Sequence, residues 1–93
     1  MNDPRYDTIK VLIEAGHIKS ISDIFIFIPK TVVYKDLGAN YNRFDKAIIN
    51  PSLFKLQELM ILAEFFGIDA RKFIDMAYEQ SLTVKNKKRE RKL

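Results

Sequence analysis

Cysteine is missing from this chain altogether. Its absence excludes a disulfide frame, a thiolate zinc site and a cysteine nucleophile. There is one histidine, His17, which alone makes a poor metal site. Only three glycines occur, too few and too scattered for a glycine-rich phosphate loop. Ser20, Ser22, Ser52 and Ser81 stand in no pattern that would activate a nucleophile, and the acidic residues form no paired set. An enzyme is therefore the least supported class, and neither a cofactor nor a small-molecule substrate is expected. The longest unbroken apolar run, Ile24–Ile28, is far short of a bilayer span, so no membrane partner is expected. The opening Met-Asn-Asp-Pro-Arg lacks a basic stretch followed by an apolar one, so no signal peptide is expected. With no cysteine to oxidise, a reducing cytoplasm is the expected location.

What remains is a chain of 93 residues, enough for one domain with a modest core. Its net charge of +4 is unevenly placed. Residues 85–93 hold six basic side chains and one acidic, a net of +5, which leaves ten basic and eleven acidic in the other 84, a net of −1. The high isoelectric point belongs to the tail. A basic tail attracts any polyanion, but the body of the chain is not basic.

Apolar spacing predicts helices. Tyr6, Ile9 and Ile13, with Leu12 beside them, mark a helix over 5–15, with Asp3 placed to cap it and Pro4 suited to its first turn. Residues 20–28 are ambiguous. Ile21, Ile24, Phe25 and Ile28 fit a helical stripe, while Ile24-Phe25-Ile26-Phe27-Ile28 also suits a buried strand. A short buried helix is favoured, because no partner strand is visible and a lone strand cannot satisfy its own backbone. Pro29 opens a helix over 29–37, ended by Gly38, and Asn40 caps the next, over 41–49, with Phe44, Ala47 and Ile48 inward. Asn50-Pro51-Ser52 breaks it. Residues 55–66 form the most apolar helix, and Asp69 starts another over 70–79. The charge run 85–93 has no apolar period and is expected to be a basic disordered tail behind a domain of residues 1–84. The fold class is all-α, a compact bundle of five or six short helices.

The stretch Leu37-Gly38-Ala39-Asn40, then Arg43-Phe44-Asp45-Lys46, then Leu56-Gln57-Glu58-Leu59 through Ala63 to Gly67-Ile68-Asp69 resembles the lambda-repressor-like (Cro/repressor-type) family of helix-turn-helix DNA-binding domains. The resemblance covers about half the chain, residues 28–77, and is one of pattern. Ile18–Phe27 looks like an insertion; Lys30 stands where the family usually has a glutamine, and Tyr34 where it often has alanine. The resemblance implies motif helices at 29–37 and 41–49 and a bacterial or phage-type transcriptional regulator without a cofactor. It would be nucleoid-associated when bound to DNA.

On that reading the outward face of the helix over 41–49 meets duplex DNA. Nine residues span roughly 14 Å, suited to the major groove. Arg43 suits guanine and Asn42 adenine, because each pairs two hydrogen bonds with one base edge. Lys46 and Lys30 would hold phosphates, and Tyr41 a phosphate or a thymine methyl. Asp45 is expected to balance Lys46 or Arg43. Phe25, Ile26 and Phe27, with Ile61 and Phe65, exceed what a small core needs. They either bury one another or form the seam of a homodimer, whose two recognition helices would sit about 34 Å apart. Two alternatives stand beside this reading: a protein-interaction module on the same fold, and non-specific nucleic-acid binding by the tail.

Overall fold

The computed structural model describes residues 3–92, with side chains through Val84. Six helices follow in order: α1 Arg5–Glu14, α2 Ile21–Ile24, α3 Lys30–Leu37, α4 Tyr41–Ile49, α5 Leu56–Phe66 and α6 Ala70–Lys92, with a 3-10 turn at Pro51–Leu53. No strand occurs among the described residues. None of their helices is long and apolar enough to cross a membrane. Four helices, α1, α3, α4 and α5, begin and end within two residues of the expected limits, and α2 is shorter than expected. The last is different: α6 continues as helix to Lys92, beyond the expected end at 79 and through most of the segment expected to be disordered. Alternation of polar and apolar residues marks only the part of a helix that packs. Lys, Arg and Glu are good helix formers in their own right.

Local chemistry sets the boundaries. Ser20 caps α2 by accepting from the Asp23 N–H at 3.2 Å, and Asn40 caps α4 by accepting from the Arg43 N–H at 3.1 Å. Gly38 ends α3 at φ +75°, a left-handed conformation that costs other residues energy. Its N–H donates to the Tyr34 carbonyl at 2.9 Å. The chain then turns through Ala39 and Asn40 straight into α4.

The ambiguous segment is helical in its packing. Ile18, Ile21, Ile24 and Ile28 are buried, at spacings of three and four, while Ile26 is 73% exposed. A strand would have put Ile24, Ile26 and Ile28 on one face. The amides of Ile26, Phe27 and Ile28 reach back to the carbonyls of Asp23 and Ile24 in helical turns. Phe44 stands at the centre of the core. It meets Phe25 and Phe54 edge-on at 5.7 and 5.8 Å, and so joins α2, α4 and the 3-10 turn. Tyr6 is stacked on Phe65 and set edge-on to Phe66, which fixes α1 on α5. Its hydroxyl donates to Asp36 at 2.6 Å. Burial, and then that bond, push the phenol well above its usual range.

Candidate functional site

The α3–turn–α4 unit divides α4 into two faces. Phe44, Ala47 and Ile48 are buried, while Tyr41, Asn42 and Lys46 are exposed and Arg43 and Asp45 are half-buried. Tyr41 is not loose: its ring lies edge-on to Tyr34 at 4.9 Å. Tyr34, half-buried between α3 and α4, therefore props both Tyr41 and the core ring Phe44, whose centroid is 6.4 Å away.

Two of the five expected DNA contacts are already engaged inside the chain. Lys30, the first residue of α3, donates from Nζ to Asp45 Oδ1 at 2.6 Å, which raises the ammonium pKa. Asp45 thus balances neither Lys46 nor Arg43. Residues one and two apart on a helix do not face each other, and Lys30 arrives from the neighbouring helix instead. The Arg43 guanidinium makes a fork with Glu58 on α5, one arm at 2.9 Å and the other shorter. Glu58 also accepts from the Lys55 N–H at 2.9 Å, at the start of α5. The Arg43 bond, with that amide, holds the Glu58 carboxyl below its usual range. Lys46 has no ion pair among the described residues. The basic tail, whose binding of nucleic acid is an alternative reading, has its side chains outside the described residues.

Gln80, on α6, gave no signal in the sequence, yet its amide ties three helices together. Its oxygen accepts from the Ile21 and Ser22 amides at 2.8 and 3.3 Å, at the start of α2. Its nitrogen donates to the Ile48 and Ile49 carbonyls at 2.8 and 3.1 Å, at the end of α4, and to the Ser22 hydroxyl at 3.0 Å. Exposed helix termini leave amides and carbonyls without partners. One side chain here serves two of them, and so fixes where α4 ends.

Most of the expected seam is only partly exposed: Phe25, Ile61 and Phe65 are half-buried. Phe25 and Phe65 lie against Phe44 and Tyr6, α2 packs chiefly on α4 and α6, and α5 on α1, α3 and α6. Ile26 and Phe27 remain exposed between α2 and α3. His17 is exposed, and no group of three or more His, Asp or Glu residues among those described is placed to hold a metal.

No protein family, curated protein or solved structure matches this chain.

Proposed function

We propose that α3 and α4 form a helix-turn-helix that binds duplex DNA, with α4 laid in the major groove, and that the chain is a cytoplasmic transcriptional regulator. The observation that carries this is the tight Gly38 turn delivering a capped nine-residue helix whose inner stripe is buried and whose outer face offers Tyr41, Asn42 and Lys46. Asn42 would read adenine and Lys46 would hold a phosphate. Arg43 reaches guanine by exchanging Glu58 for the base, and Lys30 reaches phosphate by exchanging Asp45.

The test is selection of bound fragments from random duplex DNA by the full chain at roughly 150 mM salt, where charge attraction is screened beyond about 8 Å. A cut after residue 84 would fall inside α6, so the tail is instead neutralised by replacing its six basic residues with glutamine. Recovery of one motif by both proteins, lost in Asn42→Ala, is the expected result. Equal binding of all sequences, abolished by the glutamine tail, would mean that the tail supplies the affinity.

One observation favours a second reading, a protein-interaction module. The two internal ion pairs neutralise two of the three cations of the face, Lys30 and Arg43, and Asp45 would meet phosphate unfavourably once Lys30 left it. Such a module would be indifferent to Arg43→Ala, whereas a regulator should lose about 1–3 kcal/mol and relax its preference at one base.

A further inference from the structure

Between the 3-10 turn, the start of α5 and α6 lies an open groove of about 320 Å³. Phe54, Leu59 and Ala77 form its floor, and Leu56, Tyr78 and Leu82 rise around it. These last three are 61%, 60% and 37% exposed. We propose that this groove is the contact surface of a homodimer, in which Tyr78 and Leu82 of one copy enter the groove of the other.

Three features select a second copy as the occupant. Among the described residues no charged side chain lines the groove, whose lining is apolar apart from the hydroxyls of Ser52, Tyr78 and Ser81, so it suits an apolar occupant better than phosphates or a charged peptide. The same face carries both ridge and trough. Tyr78 and Leu82, four apart, share one face of α6 beside the hollow they would fill in a partner, and a two-fold contact requires such a self-complementary patch. The area is also of the right order. The three raised residues expose on the order of 300 Å² of side chain, near the size at which a patch marks a contact. With the floor and rim of both copies the contact reaches roughly 1,000 Å², the low end for a specific complex. A contact of this size is that of a weak dimer. The 3-10 turn in the groove wall directly follows α4, so the two-fold axis also fixes the spacing of the two α4 helices.

Sedimentation equilibrium of the full chain from about 10 µM to about 1 mM, without DNA, tests this separately from the DNA reading. Association should persist at about 0.5 M salt, since apolar burial is not screened. Tyr78→Glu and Leu82→Glu should each weaken it at least 10-fold, and Ile26→Glu, on the other exposed patch, should leave it unchanged. Tyr78→Ala, which adds no charge, should weaken it several-fold and serves where a melt shows the glutamate variants unfolded. A monomer at 1 mM would overturn the proposal. So would association lost in Ile26→Glu, or retained in a folded Tyr78→Glu.

Discussion

Replacing Glu58 with glutamine releases Arg43 while keeping the heavy-atom outline of the side chain and an oxygen for the Lys55 amide. Arg43 uses the two terminal nitrogens of its guanidinium on Glu58, and a bidentate guanine contact needs a pair of parallel donors from the same group. The two partners compete. Partly exposed ion pairs are worth up to about 1 kcal/mol, and fork geometry places this one at the upper end. A bidentate base contact is worth about 1–3 kcal/mol. DNA binding through Arg43 is therefore favourable only after about 1 kcal/mol has been surrendered, roughly a fivefold loss in affinity. Glu58→Gln should tighten binding to the selected duplex about 3–10-fold in a fluorescence anisotropy titration and gain less on a scrambled duplex, where only the added positive charge acts. The same substitution should destabilise the fold by about 1 kcal/mol, lowering Tm by roughly 4–8 °C. Because Arg43 lowers the Glu58 pKa in the folded state, the pair's stabilisation is present above the carboxyl's ordinary value of 4.5 and is lost as pH falls through the lowered one. The Tm difference between wild type and Glu58→Gln should shrink accordingly in acid. Weaker specific binding by Glu58→Gln would refute the competition. An equal gain in an Arg43→Ala background would show that Arg43 does not touch a base.

Gln80→Ala leaves the start of α2 and the end of α4 without their shared partner. It should cost about 1–3 kcal/mol in urea melts, and hydrogen exchange should quicken at the Ile21 and Ser22 amides. Tyr6→Phe removes one bond to Asp36 and should cost about 1 kcal/mol at neutral pH. Since burial raises the Tyr6 pKa, the unfolded chain ionises first; wild type should lose stability as pH rises above 10, and Tyr6→Phe should lose less. Gly38→Ala introduces a Cβ that meets nothing within 4 Å, so its cost is that of the left-handed backbone alone, about 1 kcal/mol by thermal melt. Phe44→Ala opens the centre of the core and should cost about 3–5 kcal/mol in a urea melt, a large share of the stability of a domain of this size.

The helices were legible because their signals are local. Asn40, Gly38 and Gly67 act on residues within four positions of themselves, and the buried stripe Phe44, Ala47 and Ile48 repeats at the helical period. Even the isoleucine-rich segment could be assigned, because a strand needs a partner and none was present. The end of α6 was not legible. Hydrophobic spacing reports burial, and its loss after the packed turns does not mark where the backbone stops being helical.

The charges of the site were not legible, for a different reason. Lys30 and Asp45 are fifteen residues apart, as are Arg43 and Glu58, and Gln80 lies more than thirty beyond the α4 carbonyls it binds. Such partners are set by how helices cross, which no local pattern encodes. Each basic residue of α3 and α4 therefore looked available, whereas of Lys30, Arg43 and Lys46 only Lys46 has no ion pair among the described residues. The consequence bears on selectivity. Lys30 and Arg43 each contribute to binding only where the ligand offers more than Asp45 or Glu58 already does. For Arg43 a guanine edge passes that test and a lone phosphate on a screened surface barely does. On the proposed DNA reading, releasing Arg43 in Glu58→Gln should therefore return more affinity on the right sequence, where a guanine edge takes it up, than on DNA in general.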